Sequence, residues 1–114
     1  MQLYKPTVVS DDEVNAVINK PGKQLMFLTA DWCGDCKAIK PFVEEIKELA
    51  TSEGAGWVDA DRDANIEVAK AQGLRGIPAF VLFVDGKQID HIGNGERLSP
   101  KQVKDWVKDH VLAA

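Results

Sequence analysis

Two cysteines separated by two residues are the side chains of this sequence best suited to chemistry. Cys33 and Cys36 are the sole cysteines among the 114 residues, and they lie in the segment ADWCGDCK, residues 30–37. This spacing brings two sulfurs within bonding distance one helical turn apart, and we expect Gly34 to permit the tight backbone between them. A pair of this kind is redox-active or binds a metal.

The neighbouring elements favour redox chemistry. The apolar run at residues 25–28 predicts a buried strand, and the apolar repeat at residues 39–50 predicts a helix. Cys33 then stands at a helix start, where free backbone N–H groups and the positive end of the helix dipole favour its thiolate. Cys36 lies one turn inside the helix. We therefore predict that Cys33 attacks a substrate disulfide and that Cys36 resolves the product.

A metal site is the weaker interpretation of the pair. A closed zinc site needs four ligands, and the other candidate ligands are His91 and His110, with no second Cys-X-X-Cys motif. The carboxylates of Asp61 and Asp63 suit solvated helix capping better than cation binding. We therefore expect no metal.

Length and composition predict one domain, residues 1–114. Hydrophobic residues make up 45% of the chain, and 14 basic against 18 acidic residues give a net charge of −4. The chain has no basic run, which argues against a surface built for nucleic acid or anionic lipid. The N-terminal residues lack the pattern of a signal peptide and no stretch approaches a membrane-spanning length, so we expect a cytoplasmic protein.

The hydrophobic pattern predicts nine elements in the order β-α-β-α-β-α-β-β-α. This order is typical of an α/β domain with helices on both faces of a mixed sheet. An apolar run around residues 3–9 predicts the first strand, and Ser10 is placed to cap the first helix. The last two strands are predicted to form an antiparallel hairpin through a two-residue turn at Asp85 and Gly86. Ser99 is placed to cap the final helix.

Several motifs together resemble the thioredoxin family, from about Val8 to Val111. They are WCGDCK at 32–37, RGIP at 75–78, the hairpin turn FVDG at 83–86, and Gly93. The resemblance implies the thioredoxin fold, with a five-stranded mixed central sheet flanked by four helices. It also implies a protein-disulfide reductase that acts through its dithiol.

The resemblance further implies an electron source and partners. The substrates would be proteins that contain disulfides. The oxidised chain would be re-reduced with electrons from NADPH through a flavin-dependent thioredoxin reductase. No cofactor is expected on the chain itself, which is expected to be a monomer.

The same resemblance assigns roles to the residues around the pair. Cys33 would form the mixed disulfide with substrate, and Cys36 would resolve it. The residues expected to contact substrate are Trp32, Gly34, Ile77, Pro78 and Gly93. By default the peptide bond before Pro78 would be trans, but the resemblance favours cis.

Asp35 departs from the family pattern, in which a proline usually lies between the cysteines. Its carboxylate should oppose thiolate formation and make the protein a stronger reductant. Lys37, Lys40 and Arg62 are expected to offset part of this effect.

Two further departures concern the proton that Cys36 must lose. Phe27 stands where the family usually has a buried aspartate, and Asp59 stands where it usually has a lysine. We predict that Asp59 supplies the missing carboxylate from the adjacent strand and acts as general base toward Cys36. The alternative is that Asp59 is a solvated strand residue and that water takes the proton.

Two other functions stay open at this point. One is a redox-sensing peptide-binding or adaptor module on the same fold, and the other is a dedicated reductant of one partner enzyme. Turnover of protein disulfides with and without a thioredoxin reductase separates these from a general reductase.

Overall fold

The computed structural model describes residues 3–113. Its helices are α1 (Asp11–Ile18), α2 (Gly34–Thr51), α3 (Ile66–Ala71) and α4 (Pro100–Trp106), and a π-helical segment, Val107–Leu112, continues from α4. Its strands are β1 (Lys23–Thr29), β2 (Gly56–Asp61), β3 (Ala79–Val84) and β4 (Lys87–Ile92). No helix within the described residues is both long and apolar enough to cross a membrane.

The four strands form one mixed sheet in the order β2-β1-β3-β4. β1 runs parallel to β2 and antiparallel to β3, and β3 and β4 form an antiparallel hairpin. Asp85 and Gly86 both have positive φ, 51° and 84°, as the mirror-image turns of tight hairpins require. The predicted hairpin is therefore confirmed.

The expected five-stranded sheet is wrong because the segment 3–9 does not pair as a strand. The backbone groups that would build a ladder are used elsewhere or missing. The Tyr4 N–H donates to the carbonyl of Lys40 in α2, and the Thr7 N–H donates to a side-chain oxygen of Asp59. Pro6 has no N–H to donate. The thioredoxin fold thus appears here with four helices and four strands.

Helix ends follow the predicted capping residues. The Ser10 hydroxyl accepts the Glu13 N–H at the start of α1. Ser99 and Gln102 form a reciprocal capping box at the start of α4. Both caps satisfy backbone donors that have no partner inside the helix.

Buried apolar side chains cover both faces of the sheet. The face toward α2 and α4 is built around Leu25, Phe27, Phe80 and Leu82. The face toward α1 and α3 is built around Met26, Leu28, Val81 and Phe83. With a core on each side, β1 is held firmly, and its carboxyl end positions the Cys-X-X-Cys segment.

Candidate active site

The cysteine pair lies where β1 ends and α2 begins, as the sequence predicts. Cys33 is the N-cap of α2, and its sulfur accepts the backbone N–H of Cys36 at 3.1 Å. The two side chains are joined by a disulfide, with their Cα atoms 5.2 Å apart. The helix start therefore directs an N–H donor at Cys33 Sγ, which favours negative charge on that sulfur when the pair is reduced.

The two sulfurs differ in access. Cys33 is 7% exposed, whereas Cys36 is fully buried. Both pack with Ala30 in a small apolar cluster that Ile77 closes. An incoming disulfide therefore reaches Cys33 first, which supports the predicted division of roles.

The loop before β3 forms the wall opposite Cys33. The Ile77–Pro78 peptide bond is cis, as the family resemblance implies. The carbonyl oxygen of Ile77 lies 4.0 Å from Cys33 Sγ. This loop therefore borders the reactive sulfur directly.

Glycines let a second loop pack against the proline loop. Gly93 has a φ of 103°, and a Cβ built on it would overlap the carbonyl oxygen of Pro78. A Cβ on Gly76 would overlap the backbone of Asn94 and Gly95. Any side chain at Gly93 or Gly76 would therefore push the two loops apart. Gly93 was singled out from the sequence, whereas the need for glycine at position 76 was missed.

Gly34 was predicted to permit the tight backbone between the cysteines, and the structure shows no steric requirement for glycine at this position. A Cβ at this position would meet no atom within 4 Å. Gly34 is exposed on the first turn of α2. Gly34 lies next to Cys33, and its predicted role in contacting substrate stays a prediction.

The side chain of Trp32, the residue before Cys33, is held by Asp63, which the sequence predicted to have a helix-capping role. Its side chain is 66% exposed, and its indole N–H donates to Asp63 Oδ2 at 2.7 Å. Asp61 does cap a turn, because its Oδ2 accepts the N–H groups of Asp63 and Ala64. The parallel pairing of β1 and β2 was the available signal for the Trp32–Asp63 contact, since it brings both strand ends to one edge.

Asp35 has a cationic partner that the sequence did not reveal. Arg97, in the loop before α4, places its Nε 3.1 Å from Asp35 Oδ1. Lys37 was among the basic residues expected to offset the charge of Asp35, and its side chain is exposed on α2. The direct neutralising contact thus comes from a residue 62 positions away.

Asp59 is buried but tied to the N-terminal segment. It is 6% exposed, and its oxygens lie 2.8 and 2.9 Å from the Tyr4 hydroxyl. They also accept the Thr7 N–H at 2.9 Å and the Trp57 indole N–H at 3.0 Å. Within residues 3–113, Asp59 makes no hydrogen bond to Cys36. Its predicted role as general base stays a prediction.

Burial raises the pKa of the Tyr4 hydroxyl, and the negative charge of Asp59 raises it further. The Tyr4 hydroxyl is therefore a neutral donor to the carboxylate throughout the physiological range. No cluster of three or more His, Cys, Asp or Glu side chains suited to a metal ion occurs in the described part of the chain.

Comparison with known proteins agrees with this geometry. The sequence model of the thioredoxin family matches residues 5–109. A thioredoxin of Chlamydia caviae is 34% identical over 85 residues, which cover 75% of this chain and 80% of that protein. The solved structure of Malassezia sympodialis thioredoxin superimposes with a TM-score of 0.78 at 26% identity, covering 97% of this chain and 96% of that one.

Other relatives match over a smaller share of their length. In sequence, the Malassezia sympodialis thioredoxin is 36% identical over 63 residues, which cover 55% of this chain and 60% of that protein. The mitochondrial thioredoxin-2 of Schizosaccharomyces pombe is covered to 62% of its length. The family match nevertheless spans almost all of the described residues. The chain therefore belongs to the thioredoxin family.

Proposed function

We propose that this chain is a thiol–disulfide oxidoreductase that reduces disulfides in other proteins. One observation carries the proposal: a Cys33–Cys36 disulfide lies at the start of α2 beside the cis Pro78 loop, with Cys33 7% exposed and Cys36 fully buried. Family membership supports the same chemistry. A reachable sulfur backed by a buried second thiol suits two-step exchange.

The reaction begins with the reduced pair. The Cys33 thiolate attacks one sulfur of the substrate disulfide, forming a mixed disulfide and releasing the other substrate sulfur as a thiolate. Cys36, after losing its proton, then attacks Cys33 Sγ. The Cys33–Cys36 disulfide forms, and the second substrate sulfur leaves. Two electrons pass to the substrate, whose thiolates take up two protons.

The oxidised pair has to be reduced again for a second turnover. We propose NADPH as the electron source, with a flavin-dependent thioredoxin reductase as the relay. A reducing compartment such as the cytoplasm suits this cycle, and both cysteines of the chain belong to the site. The proposed working form is a monomer, because one chain supplies both cysteines and the loops around them.

A turnover assay tests the activity. The reduced protein should reduce a protein disulfide once when it is alone, and repeatedly when NADPH and a thioredoxin reductase are added. Single turnover without recycling would favour a dedicated reductant served by another electron donor. No reduction at all would favour the adaptor alternative and overturn the proposal.

A trapping experiment tests the roles of the two sulfurs. Cys36→Ser should accumulate a mixed disulfide on Cys33, because the reachable sulfur still attacks and nothing resolves the product. Mass spectrometry under non-reducing conditions detects the adduct. Cys33→Ser is the matched control and should form little adduct. If Cys33→Ser accumulated the adduct and Cys36→Ser did not, the roles would be reversed.

A further inference from the structure

A cationic cavity lies between the residue that follows β2, helix α3 and the loop that leads to Ile77. Its volume is about 290 Å³, and three of its six lining residues are basic while none is acidic. The lining residues are Arg62, Ile66, Lys70, Gly73, Leu74 and Arg75. This local charge is opposite to the net charge of −4 of the whole chain.

Both arginines lie close in the chain to segments that lead to or border Cys33. The backbone N–H of Arg62 donates to the carbonyl of Thr29 at 2.8 Å, at the end of the strand that leads to Cys33. Arg75 lies two residues before Ile77, whose carbonyl oxygen is 4.0 Å from Cys33 Sγ. Two residues of chain span at most about 7 Å. A substrate segment that places its disulfide at Cys33 therefore passes within reach of this cavity.

Among residues 3–113, neither Arg62 nor Arg75 forms an ion pair with a carboxylate, so no direct contact cancels the charge of either guanidinium group. The third cation, Lys70, lies 3.9 Å from Glu67, but both side chains are mostly exposed, so solvent screens that pair.

The carboxylates nearest in sequence to Arg62 are already engaged. Asp61 accepts backbone N–H groups, and Asp63 holds the indole of Trp32. The carboxylates of Asp61 and Asp63 are therefore occupied by these hydrogen bonds and form no ion pair with Arg62. The guanidinium groups thus remain available to a ligand from outside.

We propose that this cavity binds an acidic segment of the substrate protein, with Arg62 and Arg75 as specificity-determining residues. Carboxylates a few residues from the substrate disulfide would pair with the two guanidinium groups while Ile66 and Leu74 contact the neighbouring apolar atoms. Guanidinium groups suit this role because they offer several N–H donors in a planar arrangement that matches a carboxylate. The proposal rests on the proposed disulfide reduction and names the class of substrate for it.

Matched peptide disulfides test the proposal. One peptide carries glutamates two to four residues from its disulfide, a second carries glutamine, and a third carries lysine at the same places. The rate constant for oxidation of the pre-reduced protein is measured with each peptide at low and high salt. We expect the acidic peptide to react faster than the neutral one by on the order of tenfold at low salt, and the difference to shrink as salt screens the charges.

Variants locate the effect. Arg62→Gln and Arg75→Gln should each lower the ratio of the rate constant for the acidic peptide to that for the neutral peptide. Lys87→Gln is the matched control, because it removes one positive charge near the sheet end away from the dithiol. The charge reversal Arg62→Glu should shift the preference toward the lysine peptide, an outcome that loss of folding cannot imitate.

Two results would overturn the proposal. Equal rates for acidic and neutral peptides in the unmodified protein would show that the cavity selects nothing. An equal loss of rate on all three peptides in Arg62→Gln and Arg75→Gln would place these residues in dithiol chemistry rather than recognition. In either case reduction of the neutral peptide still reports the proposed function separately.

Discussion

At the scale of single residues, Asp59 has an anchoring role in the structure and a proton-transfer role in the prediction. Its carboxylate accepts hydrogen bonds from the Tyr4 hydroxyl, the Thr7 N–H and the Trp57 indole. An amide at this position keeps one acceptor oxygen and presents donors to groups that are themselves donors. The substitution Asp59→Asn can therefore distinguish the anchoring role from the proton-transfer role.

Asp59→Asn should lower the free energy of unfolding by about 1–3 kcal/mol, because one of the two oxygens that accept from buried donors is lost. Urea unfolding measures this, with Glu53→Gln as an exposed control. A general-base role additionally requires that resolution of a preformed Cys33 mixed disulfide slows and recovers as pH rises toward the thiol's own pKa. Equal resolution rates across the neutral range would leave Asp59 as an anchor alone.

Tyr4 provides a pH-dependent probe of the same contact, since it is the one tyrosine in the sequence. Burial, and then the charge of Asp59, raise the pKa of its hydroxyl above the ordinary tyrosine value of 10.0. Between that value and the raised pKa of the folded state, the unfolded chain has lost a proton that the folded chain keeps. The stability that Tyr4 contributes is therefore complete below about pH 10 and decreases as pH rises through the folded pKa.

Tyr4→Phe should be less stable than the unmodified protein by about 1–2 kcal/mol at neutral pH, because a hydrogen bond to a carboxylate is lost. The difference in the free energy of unfolding between Tyr4→Phe and the unmodified protein should become smaller above pH 10. Urea unfolding at several pH values measures that difference, and phenolate absorbance follows Tyr4 directly. A constant difference from neutral to strongly alkaline pH would contradict the raised pKa.

At the scale of elements, the Asp35–Arg97 pair joins the start of α2 to the loop before α4. It neutralises the carboxylate that distinguishes this Cys-X-X-Cys segment from the family pattern. The sequence alone predicted Asp35 as a redox-tuning residue but not Arg97. The reason is physical: the contact depends on how the second loop packs on the proline loop through Gly76 and Gly93, and no local pattern encodes that.

Arg97→Gln should lower the reduction potential by up to about 20 mV, since an exposed pair is worth under about 1 kcal/mol. The positive charge of Arg97 favours the thiolate of the reduced form, so its removal makes the protein a stronger reductant. Asp35→Asn should shift the potential the opposite way. Equilibration with a glutathione buffer measures both, and Lys87→Gln controls for loss of a distant charge. An unchanged potential in both variants would remove the pair from redox tuning.

The first predicted strand illustrates how an apolar run can mislead. Residues 3–9 have apolar character, but strand formation also needs free backbone groups on a neighbouring edge. Thr7 gives its N–H to the Asp59 side chain, and Pro6 has none. The other eight predicted elements appear. Several had a strong local signal, such as the cap at Ser10 or the Asp85-Gly86 turn, whereas the strand β2 was predicted only weakly because of its carboxylates.

At the scale of the whole molecule, Phe27 is a fully buried ring at the position where the family usually has a buried aspartate. Its ring stacks on Phe80 with centroids 4.7 Å apart, and its centroid lies 6.1 Å from that of Tyr4 and 6.3 Å from that of Trp57. Aromatic side chains therefore form the part of the core around Phe27, on the face of the sheet toward α2. Phe27 was identified from the sequence as a departure, but its aromatic partners come from three separate segments.

Phe27→Ala should lower the free energy of unfolding by about 3–5 kcal/mol, because a fully buried ring is removed from close packing. Urea unfolding measures the loss. Ile89→Ala, at a side chain that is 56% exposed, is the control and should cost under about 1 kcal/mol. A similar cost for both variants would mean that the core does not depend on this ring.

The absence of pairing by residues 3–9 leaves β2 as an outer strand of the sheet. An outer strand offers unpaired backbone groups to any other extended chain, which is a route to self-association. Asp61 places a carboxylate at the end of this outer strand, and charged side chains disfavour the pairing of edge strands. The N-terminal segment, fastened to Asp59, also obstructs that approach. The departure from the five-stranded sheet is thus accompanied by its own protection against aggregation.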